Sequence, residues 1–249
     1  MSVGLNEIIS RADEYLSELP VAPPPLDMPN GATLAGWIDH TLLKPVATME
    51  QVKKLCAEAR QYHFATVCVN PAYIPVSAEL LSGSDVGVCS VVGFPLGATF
   101  PEIKAAETRR VIQAGATEID TVIDIGALKS GNFSLALCDV QAVVDSAAGK
   151  AHVKVILEMC FLTQREKIIG CLLCKEAGAD FVKTSTGFGP GGATIDDVAL
   201  MRCLVGARMG VKAAGGIRTL QDARRMISAG ADRLGASAGI SILKEAGVA

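Results

Sequence analysis

From Gly36 onward the chain repeats one unit eight times, a short β-branched run followed by a helical pattern, and this alternation leaves few architectures open. The runs are WIDHTLL, FATVCVN, VGVCSVVGF, EIDTVIDI, HVKVILEM, FVKTSTG, VKAAGGI and RLGASAG. Helical patterns fall between them near residues 49–61, 72–82, 101–114, 134–147, 164–177, 195–209 and 219–229, with a last one from about 240. Neighbouring parallel strands need long crossovers, and helices supply them, so eight such units predict a (β/α)8 TIM barrel. A doubly wound open sheet is the second choice, since no GxGxxG follows the first strand. The strings AGATEID, AGADFVK and AGADRLG each read as a helix that ends at a C-cap glycine and turns directly into a strand. They mark the bottom of the barrel. Catalytic groups of such barrels sit at the opposite, carboxyl ends of the strands, here the ends that carry HT, CVN, VVGF, DIG, EMC, KTSTG, AAGG and GASAG.

The chain has 249 residues, 50% of them hydrophobic, which suits one large core. Residues 36–249 are expected to form the barrel and catalytic domain. Residues 1–35 are expected to form an extra N-terminal helix and a Pro-rich arm. Within 3–19, Leu5, Ile8, Ile9, Ala12, Leu16 and Leu19 share one helical face, and the following VAPPPLDMPNG cannot continue a helix. Whether that helix packs on the barrel or on a partner subunit is left open by the sequence.

The formal net charge of -3 gives no basic footprint for nucleic acid and no polybasic membrane patch. No apolar run reaches the roughly 18 residues needed to span a bilayer. The eight cysteines lie in apolar strands and helices of a long chain with no secretory leader pattern, so they read as reduced, in a cytoplasmic protein. Cys171 and Cys174 fall in a helical pattern with no second pair, which favours packing over metal or redox work. His40, His63 and His152 stand on separate elements, so neither a metal nor another cofactor is expected.

Lys183 is the most unusual residue of the barrel, an ammonium group between Val182 and Thr184 in an apolar strand. Enclosure would lower its pKa and expose a nucleophilic amine. Taking a lysine from about 10.4 to roughly 7 requires on the order of 4 to 5 kcal/mol. Lys212, in VKAAGGI, is a second such lysine on the next strand of a barrel, and two ammonium groups in one cavity disfavour each other's charge. Asp120 and Asp124 share parity on strand four, where an acid wants a cation. Asp120 is placed to pass protons. Asp124, nearer the rim, fits a structural pairing better. The glycine-rich ends GFGPGG, AAGG and GASAG offer backbone amides, with Ser237 and Ser185 hydroxyls, to an anion.

The strings IDHTLLKP, VCVNPAY, GFPLGA, EIDTVIDIGALKSG, VKVILE, FVKTSTGF, VKAAGGIRT and RLGASAG, in this order over residues 35–245, closely resemble the deoxyribose-phosphate aldolase family. The resemblance implies a metal-free class I aldolase that reversibly cleaves 2-deoxy-D-ribose 5-phosphate to acetaldehyde and D-glyceraldehyde 3-phosphate, in deoxyribose catabolism. By motif position it implies Lys183 as the Schiff-base lysine, Lys212 as the second lysine that lowers the nucleophile's pKa, and Asp120 as the acid/base. It implies Asp39, Thr41, Cys68 and Thr184 around the substrate, and Gly187, Gly215, Gly216, Gly235 and Ser237 around the phosphate. The implied partner is a small phosphorylated sugar, with no nucleic acid or membrane, and the implied assembly is a homodimer or larger homo-oligomer.

Two positions depart from patterns in the family. Where some members carry a lysine after KTSTG, this chain has Phe188, and where some carry a serine pair, it has Ser237 followed by Ala238. Phosphate binding is therefore expected to rest on amides and hydroxyls. The competing readings are a Schiff-base aldolase for another phosphorylated sugar or keto acid, and a catalytically dead barrel kept for binding. The joint presence of Lys183, Lys212 and Asp120 opposes the latter, because an unused site has no reason to retain a destabilising constellation.

Overall fold

The computed structural model describes residues 4–24 and 26–248; Val3 of the expected helical segment and Pro25 of the arm lie outside them. Helix α1 (Leu5–Ser17) comes first, then, after the arm, α2 (Gly31–Leu34). The barrel follows as β1 (Ile38–Leu42), α3 (Met49–Tyr62), β2 (Thr66–Val69), α4 (Ile74–Leu81), β3 (Gly87–Val92), α5 (Pro101–Gln113) and β4 (Glu118–Val122). It continues with α6 (Ile125–Lys129), α7 (Phe133–Ala147), β5 (His152–Ile156), α8 (Gln164–Glu176), β6 (Phe181–Lys183) and α9 (Ile195–Val205). It ends with β7 (Gly210–Ala214), α10 (Leu220–Ser228), β8 (Arg233–Ala236) and α11 (Gly239–Glu245). The strands form a closed barrel in sequence order from β1 to β8, all neighbours parallel, as the alternation predicts. The short α6 was not anticipated; the chain leaves β4 at Val122 and Asp124 caps the new helix, accepting from the Ala127 amide at 2.9 Å.

The two faces of the barrel wall have opposite chemistry. Outward residues such as Ile38, Val67, Ile119, Val153, Val182 and Leu234 are fully or almost fully buried against the helices. Each such side chain is worth about 1.5–3 kcal/mol, so the barrel–helix layer carries the stability. The interior is freed for polar groups, and its separate apolar cluster contains only Leu43, Cys68, Cys89 and Val91, with Phe94 against it. Most barrels fill this space with branched aliphatics.

Helix α1 packs on this chain's own barrel, beside α8. Ile8 and Ala12 are buried there, and Arg165 of α8 donates to Asp13 at 2.6 and 3.2 Å. The arm then passes the bottom of the barrel, where Pro23, Pro24 and Leu26 border the same cavity as Arg202 and Gly230. Among the described residues no helix is long and apolar enough to cross a membrane.

Candidate active site

Strand register gathers the charged residues. Directly paired positions on neighbouring parallel strands share a face, and the pairs Asp120 with Lys154, Lys183 with Lys212, and Lys212 with Arg233 all point inward. Asp39 joins them across the β1–β8 seam, where it pairs with Gly235. Gly235 leaves the room that Lys212 uses, since a Cβ there would stand 3.1 Å from Lys212 Cε.

Asp120 is the hub. Its Oδ2 accepts from Lys183 Nζ and from Lys212 Nζ, each at 2.7 Å, and its Oδ1 accepts from Lys154 Nζ at 2.8 Å and from the Cys89 thiol at 3.2 Å. Lys212 also pairs with Asp39, which Arg233 holds from the other side at 2.7 Å. Lys154 reaches Glu118 at 2.5 Å, and Glu118 in turn accepts from Arg233. Four cations and three carboxylates thus form one network beneath the mouth.

Burial pushes the Asp120 carboxyl up, but Lys154, Lys183 and Lys212 outweigh it and hold Asp120 well below the usual carboxylate range. Asp39 is likewise lowered, against its burial, by Lys212, Lys154 and Arg233. Burial alone would lower Lys212; Asp120 and Asp39 reverse this and leave it above the ordinary lysine value. The expectation that the two lysines would share a loss of charge is therefore corrected for Lys212. The repulsion between the two ammonium groups is outweighed at Lys212 by the Asp120 and Asp39 carboxylates that flank it.

Above the network a cavity of about 310 Å³ opens at the carboxyl ends of the strands. Of the interior lysines only Lys183 lines it. Thr41, Gly187, Gly215, Gly216, Gly235 and Ser237 line it too, so the five residues that the resemblance implies around the phosphate share one space, while Gly189, Gly191 and Gly192 of the GFGPGG segment do not line it. Gly215 and Gly216 have φ of +88° and +84°, a pair of left-handed residues that only glycine adopts without strain. Asp39, Cys68 and Thr184 do not line this cavity. Asp39 lies in the charged layer, Cys68 is buried beside Cys89, and the Thr184 hydroxyl ties β6 to β7 through the Ala214 backbone at 3.1 Å. Ser185 is also fully buried and does not line it.

Several contributors escaped the sequence reading. Lys154 carries the same signal as Lys183 and Lys212, a lysine inside an apolar strand. Glu158, buried at the end of β5, accepts from the Thr186 amide and hydroxyl and so anchors the loop after β6. Lys44 and Arg218 line the cavity from the loops after β1 and β7.

Cys68, Cys89 and Asp120 bring three ligand-type atoms within 4.8 Å of one another. Three ammonium groups already bond Asp120, and a divalent cation there would meet concentrated positive charge. The histidines pair apart, His40 with Glu58, His63 with Asp85 and His152 with Asp180. His40 faces the helices, stacked on Phe64.

The family model described as DeoC/LacD family aldolase matches residues 33–246. A deoxyribose-phosphate aldolase of Streptococcus gordonii is 61% identical over 208 residues, covering 84% of this chain and 94% of the relative. One from a Geobacillus species is 59% identical over 211 residues, covering 85% and 95%. The solved deoxyribose phosphate aldolase of Aeropyrum pernix, described as a tetramer, superposes with a TM-score of 0.81 at 34% identity, covering 97% of each chain.

Proposed function

The chain belongs to the DeoC/LacD family of aldolases, and from that premise we propose that it is a class I deoxyribose-phosphate aldolase whose Schiff base forms on Lys183. The observation that carries this reading is that Lys183 alone among the interior lysines lines the cavity while its amine shares one oxygen of Asp120 with Lys212.

The open-chain sugar enters with its phosphate toward the glycine rim and its C1 aldehyde toward Lys183. The neutral amine adds to C1, and loss of water leaves a protonated imine. Removal of the proton from the C3 hydroxyl breaks the C2–C3 bond, the electron pair passing into the imine, and D-glyceraldehyde 3-phosphate departs. The remaining enamine takes a proton at C2, and hydrolysis of the imine releases acetaldehyde and restores Lys183. Each stage moves a proton at the amine or next to it. Asp120 is within hydrogen-bond reach of Lys183, and Lys212, held charged by Asp120 and Asp39, is a donor at the same oxygen. Thr41 borders the substrate directly, and Asp39 acts through Lys212.

We place the enzyme in the cytoplasm, in keeping with eight cysteines that are all free. We also infer a homo-oligomer, by analogy with the tetrameric relative. The assay is direct: the purified protein incubated with 2-deoxy-D-ribose 5-phosphate should yield acetaldehyde and D-glyceraldehyde 3-phosphate in equal amounts. Cleavage confined to keto-acid or ketone substrates would overturn the assignment.

A further inference from the structure

We propose that Arg233 and Glu118, at the floor of the barrel, set the charge of the Lys183 amine from a distance, Arg233 favouring its neutral form and Glu118 its protonated form. The inference rests on the Schiff-base reading above and concerns the control of that same amine by two positioning residues that do not line the cavity.

The reason is a charge count. Among the described residues the buried network sets Lys154, Lys183, Lys212 and Arg233 against Asp39, Glu118 and Asp120. Fully ionised, it carries one positive charge in excess. A buried charge without a counter-ion is costly, and the cation with the weakest pairing is the first to give up its proton. A guanidinium does not deprotonate in a protein. Lys154 pairs with Glu118 at 2.5 Å, Asp120 at 2.8 Å and Asp39 at 3.8 Å, and Lys212 pairs with Asp39 and Asp120. Lys183 pairs with Asp120 alone among the described residues, and shares that oxygen with Lys212. It is also the interior lysine that lines the cavity, where its proton has an exit. The excess is therefore relieved at Lys183, which leaves there the free amine that attack on an aldehyde needs.

Arg233 and Glu118 open β8 and β4, and each of these strands stands two places from β6 in the closed barrel. Arg233 donates to Asp39 at 2.7 Å and to Glu118 at 3.1 Å. Either can be removed without stranding a partner. Without Arg233, Asp39 keeps Lys212 and Lys154, and Glu118 keeps Lys154. Without Glu118, Arg233 keeps Asp39, and Lys154 keeps Asp120. Loss of the cation brings the fully ionised network to neutrality and lets Lys183 hold its proton. Loss of the carboxylate enlarges the excess and drives that proton off. The other charged and titratable groups near the amine stay the same in both cases: Lys44 and Arg218 on the cavity wall, Glu158 bonded to Thr186, and the thiols of Cys68 and Cys89 on β2 and β3. Burial pushes the Cys89 thiol well up. The Cys68 thiol is lowered, chiefly by its hydrogen bond with Cys89, which makes it the competing site for a change of charge.

The test is the pH dependence of reductive ethylation of Lys183 by acetaldehyde and cyanoborohydride, read by peptide mass mapping. It compares the wild type, Arg233→Met, Arg233→Lys, Glu118→Gln and the double variant Arg233→Met with Glu118→Gln. Acetaldehyde has no ionisable group, so the rise of the rate with pH follows the amine. The rise should move about one pH unit up in Arg233→Met and about one unit down in Glu118→Gln, the effect of a unit charge roughly 10 Å away at an effective dielectric near 20. Arg233→Lys keeps the charge and should keep the wild-type profile. The double variant restores the excess of one and should return close to it. Profiles that do not move, or that move the same way in both single variants, would overturn the inference and leave the Schiff-base reading standing. So would opposite shifts that vanish in a Cys68→Ala background, which place the change of charge on the thiol. A wild type that is not ethylated at Lys183 would sink the Schiff-base reading and this inference with it.

Discussion

Lys183 and Lys212 are direct register partners on β6 and β7, and their ammonium groups donate to one and the same oxygen of Asp120, each at 2.7 Å. A single carboxylate thereby serves both amines. The pair is a nucleophile and a proton donor with a common relay between them, and the relay's surroundings make its removal and the nucleophile's removal unequal.

Replacing Lys183 by Leu should abolish turnover by several orders of magnitude and leave the thermal midpoint unchanged or raised. Asp120 would still be bonded by Lys154 and Lys212, so no buried charge is orphaned, and an apolar side chain suits a residue only 3% exposed. Circular dichroism melts beside the cleavage assay separate the two effects.

Asp120→Asn should behave differently. Lys183 loses the one carboxylate it pairs with among the described residues, and Lys154 and Lys212 each lose one of theirs. Stability should drop by about 3–5 kcal/mol and kcat by roughly 10²–10⁴. Urea unfolding and steady-state kinetics check the pair of outcomes.

Lys154→Met should also destabilise, by about 3–5 kcal/mol, since Glu118 loses a buried partner at 2.5 Å. Adding Glu118→Gln removes a carboxylate then held by Arg233 alone and should recover part of that loss, which a double-mutant cycle measures.

The network sets a pH window for stability. Asp39 and Asp120 are depressed in the folded state, so their contribution is full above the unfolded carboxylate value near 3.9 and is lost as pH falls below it. Lys212 is raised, so its contribution is full below about 10.4 and declines as pH rises beyond that. Urea midpoints should therefore drop below about pH 4 and above about pH 10, and Asp120→Asn should flatten the acid limb.

Much of this was legible in the chain. Eight alternations gave a closed barrel, and the AGA strings showed which end was the bottom, because a C-cap glycine leading straight into a strand is a local signal. Lys183, Lys212 and Asp120 stood out for being charged inside apolar strands. The pairing of Asp39 with Lys212 and of Glu118 with Arg233 depends on closure and register, which no local pattern carries. Asp124 shows the limit of parity arguments: the chain turned into α6 before its parity could matter. Lys44 and Arg218 sit on exposed loops, where a cation looks like any solvated one until the cavity is seen.

The most direct measurement is reductive trapping. Wild-type protein treated with acetaldehyde and borohydride should carry an ethyl group on Lys183, located by peptide mass mapping, and Lys183→Leu should carry none in the cavity. Modification of Lys212 in place of Lys183, or trapping by ketones but not by acetaldehyde, would contradict the assignment of the Schiff base.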